Sequence, residues 1–182
     1  LKQYRALYPC IRLKISNHST PQAVDAIKNG IADIAVVTTP TLPSAAIEEI
    51  TVRKFREVAV CSPSFSKLSG RKVTFAELLE NPVISLGTQT KTYELYSEFF
   101  AKNGLRFRPE TEAATADQIL PMVKADLGIG FVPEEFLSGV EGVSVIETEK
   151  PLPEREIRLL KRREQPLGVA AKELEKLILK QI

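Results

Sequence analysis

Tryptophan is absent from this chain, and histidine and methionine occur once each. A single histidine, His18, outside any Cys/His cluster argues against a structural zinc site. Two cysteines in 182 residues make no disulfide framework. Cys10 and Cys61 flank apolar, strand-like runs and read as buried thiols acting as small hydrophobes, a redox pair or catalytic thiol being the other reading. No apolar run approaches the ~18 residues of a membrane span, and no signal peptide opens the chain. Excess charge is lacking too. Against 25 basic residues stand 23 acidic ones, a net charge of +2, and no dense basic stripe occurs. That balance argues against a domain living on nucleic-acid phosphates. Internal repeats and low-complexity tracts are missing as well.

Hydrophobic residues make up 43% and charged residues 26%, the balance of a soluble globular chain rather than a disordered or fibrous one. The length suits one domain or two small lobes. The chain starts on Leu1-Lys2-Gln3-Tyr4, which reads as the middle of a helix and hence as a fragment of a longer protein.

Periodicity supplies the elements. Ile11, Leu13 and Ile15 alternate with Arg12 and Lys14, the pattern of a half-exposed strand over 11–15. Pro21 opens a helix with Thr20 as its expected N-cap, Ala23, Val24, Ile27 and Ile31 on its apolar face, and Gly30 at its end. Residues 33–37 form an unbroken apolar strand, as in a sheet covered on both faces. Further strands are expected at 47–52, 57–61, 82–86, 106–112, 128–133, 143–146 and 157–160. Helices are expected at 75–79, capped by Thr74, at 93–103, at 116–124 with Pro121 inside it, and from Pro166 onward. Gly128 and Gly130 mark a strand that another backbone or side chain approaches closely.

Strands alternating with helices imply an α/β architecture with mostly parallel sheets. The stretches 62–71 and 147–156, with Pro63, Gly70, Pro151 and Pro153, read as crossovers. They divide the chain into lobe I, residues 1–61 and 157–182, and lobe II, residues 62–156, with an expected cleft between them.

Ligands of α/β sheets bind at the carboxyl ends of strands, where helix N-termini present amide hydrogens. Four strand ends here carry similar residues: Ser19 and Thr20, Thr38 and Thr39, Thr88 to Thr90 with Gln89, and Ala114 with Thr115. Each alone is an ordinary cap; the repetition points to a small anion such as a carboxylate. Phe131 joins this ligand set. Only Lys91 offers a cation beside a turn, so neutral donors suit a sensor of moderate affinity better than a permanent cofactor site.

Signs of catalysis are thin. Gly128-Ile129-Gly130 lacks the remainder of a dinucleotide fingerprint, and neither a phosphate loop nor a Gly-x-Ser-x-Gly elbow occurs. Glu134 and Glu135 read as a solvated helix start, and Lys161-Arg162-Arg163 as a solvated strand end rather than a nucleic-acid patch. No enzyme activity, cofactor or metal is expected.

The order of motifs resembles the effector-binding domain of LysR-type transcriptional regulators. The resemblance rests on Tyr4-Arg5-Ala6-Leu7-Tyr8-Pro9, on Gly30-Ile31-Ala32-Asp33-Ile34-Ala35-Val36, on Pro82-Val83-Ile84, and on the run from Met122 to Pro133. It implies two Rossmann-like lobes joined by two crossover strands, similar to type 2 periplasmic binding proteins. It also implies a small-molecule effector, anionic by the strand-end reading above, in the inter-lobe cleft, which modulates DNA binding by a homodimer or tetramer in the bacterial cytoplasm. By position it places Ser19 and Thr20 at the effector from lobe I, with Thr38 or Thr39 bordering the cleft, and Thr88, Gln89 and Thr90 facing it from lobe II, with Ala114 or Thr115 at the next helix start. Three departures stand out. The family's winged helix-turn-helix and linker helix are absent from this sequence, so promoter DNA is expected to be bound only through that missing part. The family's first strand is absent as well, and His18 and Asp126 stand where the family often has glycine. A transport-linked solute-binding protein of the same architecture is the alternative, and a small α/β enzyme using Cys61 or His18 a third reading. Residues 11–15 and the helix from Tyr93 are the expected self-association surfaces.

Overall fold

A computed structural model describes residues 1–180. In chain order the elements are α1 (Lys2–Leu7), α2 (Thr20–Lys28), β1 (Ala35–Thr38), β2 (Ile47–Phe55), β3 (Glu57–Cys61), β4 (Lys72–Val73), α3 (Phe75–Leu79), β5 (Val83–Leu86) and α4 (Lys91–Lys102). After these come β6 (Thr111–Ala113), α5 (Ile119–Lys124), β7 (Ile129–Pro133), β8 (Ser144–Thr148), β9 (Arg155–Arg162) and α6 (Val169–Leu179). The chain divides into two units, one of Leu1–Lys54 with the chain from Glu156 onward, the other of Phe55–Arg155. The polypeptide leaves the first unit inside β2 and returns to it inside β9.

In the first unit, β9 is the middle strand of a three-stranded sheet of order β1-β9-β2. β1 runs antiparallel to it, with Val36 opposite Leu159 and Val37 opposite Arg158. Ala23, Val24 and Ile27 of α2 pack with Val37, Ile47 and Leu160, as the helical spacing of those apolar residues requires. The N-cap of α2 is Ser19, one residue before the expected Thr20. Its backbone N–H donates to Gln22 Oε1 at 3.0 Å in a reciprocal capping box. Tyr4, 2% exposed, ties α1 to α6 by donating its hydroxyl to the carbonyl of Ala170 at 2.8 Å.

The segment expected as a strand at 11–15 joins no sheet. Its alternation is real, but Ile15 is 71% exposed, and a strand forms only against a partner. Cys10, expected inside, is exposed just before it. The last helix starts at Val169 rather than Pro166, with Gly168 as N-cap.

The second unit holds six strands in the order β4-β8-β3-β7-β5-β6. Pairing is mixed rather than mostly parallel: β5 runs parallel to β6 and β7, and β4 to β8, whereas β3 is antiparallel to both β7 and β8. The period-2 alternation of strands sorts its apolar residues into two clusters. Ala59, Cys61, Val83, Ile129 and Phe131 join the rings of Phe75, Tyr96, Phe100 and Phe107. Val60, Ile84, Leu86 and Val132 join Ile119 and Val123 of α5. Every residue of β5 is therefore buried.

The two glycines expected to admit a close approach do so. A Cβ on Gly130 would lie 2.5 Å from Cγ2 of Ile119, and one on Gly128, at φ +146°, 2.4 Å from the carbonyl oxygen of Pro82. Asp126 adopts the left-handed conformation at φ 62°, which suits glycine, and short polar side chains after it. Its carboxylate accepts a hydrogen bond from the Ser62 hydroxyl. That bond, with a second from Ser64, holds the Asp126 carboxyl below its usual range. In place of the expected strand at 106–112 the structure has β6 at Thr111–Ala113, and Phe107 packs in the aromatic cluster.

Candidate functional site

The expected ligand residues fall on helix starts, and their hydrogen bonds separate the structural hydroxyls from the others. Thr90, 7% exposed, caps α4: its Oγ1 accepts from the N–H of Tyr93 at 3.2 Å and donates to the carbonyl of Gly87 at 2.8 Å. That hydroxyl is fully engaged. Thr88 and Gln89, in the same turn, are exposed. They stand before a helix of 12 residues, whose first amides and dipole favour an anion. The nearby cation, Lys91, is paired with Glu94. The other turn of this unit is occupied internally. The N–H groups of Ala114 and Thr115 donate to Gln118 Oε1 at 2.9 and 3.3 Å, in a capping box that also uses the Thr115 hydroxyl. Phe131 is 3% exposed, its ring 4.7 Å from that of Tyr96, and it is a core residue.

In the first unit the structure brings Thr20 and Thr38 together. Thr20 Oγ1 donates to the carbonyl of Thr38 at 3.5 Å, a long bond at the end of β1. Thr39 Oγ1 accepts from the backbone N–H of Glu156 at 2.8 Å and so pins the start of β9. Ser19 is engaged in its capping box. Thr20, Thr38 and Thr39 are all partly exposed. His18 lies in the exposed segment before α2.

Two polar features escape a reading by local pattern. Ser85, 2% exposed in β5, has a hydroxyl with no hydrogen bond among the described residues. A lone serine within Val83-Ile84-Ser85-Leu86 is its only signal. The second is a buried ion pair, Glu57 with Arg155, 8% and 4% exposed. Arg155 donates to Glu57 Oε1 at 2.7 Å and to Thr92 Oγ1 at 3.0 Å, and lies 5.6 Å from the centroid of the Phe55 ring. Tyr96 donates its hydroxyl to the same carboxylate. Burial, with Glu57 adding to it, pushes the Tyr96 phenol well above its ordinary range, so it stays a donor. Partners 98 residues apart leave no local trace.

Burial raises the Cys61 thiol, which lowers its reactivity. Among the described residues no three His, Cys, Asp or Glu side chains group to hold a metal ion, and no helix is long and apolar enough to cross a membrane.

Comparison with known proteins bears on this arrangement. The family model described as the LysR substrate binding domain matches residues 1–182. The HTH-type transcriptional regulator YwbI of Bacillus subtilis is 25% identical over 174 residues, covering 94% of this chain and 58% of its own length. The HTH-type transcriptional activator CmpR of Synechocystis sp. is 25% identical over 155 residues, covering 82% of this chain and 50% of its own. The chain thus spans about half the length of these curated relatives. Among solved structures, the regulatory domain of Synechocystis CcmR in complex with 2-PG superposes with a TM-score of 0.83 at 12% identity, covering 99% of this chain and 88% of that one. The effector-binding domain of QuiR in complex with shikimate gives 0.80 at 16%, covering 99% and 87%. The BenM effector-binding domain with benzoate gives 0.74 at 19%, covering 99% and 82%. These likenesses establish the expected fold, the two-lobed α/β fold of effector-binding domains. With the family model matched from end to end, the chain belongs to the LysR substrate binding domain family.

Proposed function

We propose that this chain is the sensing part of a cytoplasmic transcriptional regulator, and that it binds a small carboxylate effector and passes the binding event to a DNA-binding part of the same protein. The observation that carries this reading is the turn before α4, with exposed Thr88 and Gln89, a helix N-terminus behind them and no unpaired lysine beside them. Neutral donors at a helix start suit a singly charged anion bound reversibly. Shikimate and benzoate, bound by two domains of this fold, have that chemistry. Of the expected ligand residues, Thr88 and Gln89 of the second unit are exposed, and Thr20, Thr38 and Thr39 of the first unit are partly exposed. Ser19, Thr90, Ala114 and Thr115 act by holding helix starts in place, and Phe131 by packing in the core of the second unit. Transport is not favoured, because the curated relatives are transcriptional regulators. Homodimers or tetramers form in this reading, with α4 as a contact surface, and a monomeric mass in sedimentation at high concentration would count against that part.

The test is calorimetric titration of the chain with a panel of metabolite carboxylates, beginning with benzoate and shikimate. For the carboxylate that binds, Thr88→Ala and Thr20→Val are each expected to weaken affinity by about 0.5–1.5 kcal/mol, one neutral hydrogen bond, without altering the melting temperature. Unchanged affinity in both variants removes these residues from the site.

A further inference from the structure

A carboxylate stands beside the turn before α4. β6 is the edge of the second unit's sheet and runs parallel to β5, with Leu86 opposite Ala113 and Ser85 opposite Glu112. Leu86 and Ala113 are buried on the α5 side. Register partners share a face, so Ser85 and Glu112 point the other way, to the side where Val83 packs with Tyr96 and Phe100 of α4. Glu112 thereby reaches the turn that leads into α4. Its Oε2 lies 3.3 Å, and Nε2 of Gln89 3.5 Å, from where a Cβ on Gly87 would be. Glu110 is engaged, accepting from the N–H of Val83 at 2.7 Å. Glu112 and Gln89 are exposed, and among the described residues no hydrogen bond or ion pair engages either side chain. The Ser85 hydroxyl on the same face, 2% exposed, lacks a partner too, whereas buried hydroxyls are ordinarily satisfied.

Charge decides what this turn can hold. Thr90 takes the N–H of Tyr93, which leaves the first two amides of α4 for a ligand. The helix start offers a carboxylate about half a positive elementary charge. Against it stands the full negative charge of Glu112, and Lys91 is already neutralised by Glu94. A plain carboxylate therefore meets a turn whose balance is negative, and a ligand that brings its own cation reverses that balance. We infer, resting on the carboxylate reading above, that the effector is an amino acid: a carboxylate and an ammonium on one small skeleton. Its carboxylate takes the first amides of α4 together with the Thr88 hydroxyl. Its ammonium donates to Glu112. An ammonium has three protons to place, and the other unspent acceptors on this face are the Gln89 carboxamide oxygen and, deepest, the Ser85 hydroxyl. Glu112 is thus a specificity-determining residue that selects amino acids over plain acids.

Magnetic resonance titration of the whole chain, followed at the amides of 87–92, tests this with probes matched in skeleton: alanine against propionate, valine against isovalerate, and phenylalanine against phenylpropionate. The amino acid of a pair is expected to bind about tenfold tighter than its plain acid, the scale of one hydrogen bond to a charged group. Glu112→Gln should leave the melting temperature unchanged, remove that advantage and leave the plain acid bound as before or tighter. Plain acids that match their amino partners overturn the inference and leave the carboxylate site standing, as does Glu112→Gln weakening both members of a pair equally. Ethylamine, isobutylamine and phenethylamine are the same skeletons without the carboxylate. Should they bind as tightly as the amino acids, the carboxylate reading falls and the inference with it, and silence from every probe overturns both.

Discussion

Replacing Arg155 by methionine removes one charge from a buried network and keeps the aliphatic bulk against Phe55. The lost bonds include those to Glu57 Oε1 at 2.7 Å and Thr92 Oγ1 at 3.0 Å. What remains is a carboxylate, 8% exposed, that accepts from the Tyr96 hydroxyl. An unpaired buried charge costs about 3–5 kcal/mol, above the ~1–3 kcal/mol that two hydrogen bonds between neutral groups contribute together. Arg155→Met is therefore expected to lower stability by the larger amount. Adding Glu57→Gln should recover part of it, since the amide oxygen still accepts from Tyr96 and no charge is left behind. Urea unfolding followed by tyrosine emission reads both, unmasked because the chain has no tryptophan. A single-variant loss below about 1 kcal/mol, the size of an exposed pair, would refute the reasoning, as would a double variant less stable than the single one.

Gly130→Ala places a methyl against Ile119 and Val123 and should cost about 1–3 kcal/mol by overpacking, measured by urea midpoint. Thr90→Ala loses the α4 cap and should cost about 0.5–2 kcal/mol, whereas Thr88→Ala leaves thermal stability unchanged; equal losses would contradict the division between capping and exposed threonines. Acid should destabilise the first unit in a defined sense. A hydrogen bond from Arg158, then one from Thr51, holds the Glu156 carboxyl below the ordinary glutamate range against the opposing effect of burial. A group depressed in the folded state contributes stability that is present above its unfolded pKa and lost as pH falls through the folded one. Arg158→Leu should flatten that acid slope, and an unaltered slope would show that the pair does not contribute.

Short-range signals made much of this fold readable. Thr74 before Phe75-Ala76-Glu77-Leu78-Leu79 predicts the α3 cap, and its hydroxyl accepts from Glu77 N–H at 3.2 Å. β3 matches its expected bounds, because its apolar run is delimited by charge at one end and Ser62-Pro63 at the other. Gly128 and Gly130 announce contacts that leave no room for a side chain. Misreadings arise where the deciding partner is distant. Alternation at 11–15 encodes a strand without providing anything to pair with. The sheets are mixed because β3 lies between β8 and β7, a choice made by strands more than 60 residues later. At the site, residue type could nominate hydroxyls but could not tell Thr90, engaged twice, from Thr88. Glu57 and Arg155 carried no signal at all, since each is an ordinary surface residue until the fold buries them together.

The placement of β9 bears on how the chain is made. Its residues lie in the middle of the unit 1 sheet, yet a ribosome delivers them after all of Phe55–Arg155. The second unit is contiguous and has everything it needs to fold by then. β1 and β2 wait throughout that interval without the strand that joins them, their edges open to other nascent chains. Synthesis order thus leaves the first unit dependent on its last third, and a translation pause after Arg155 would prolong its most vulnerable state.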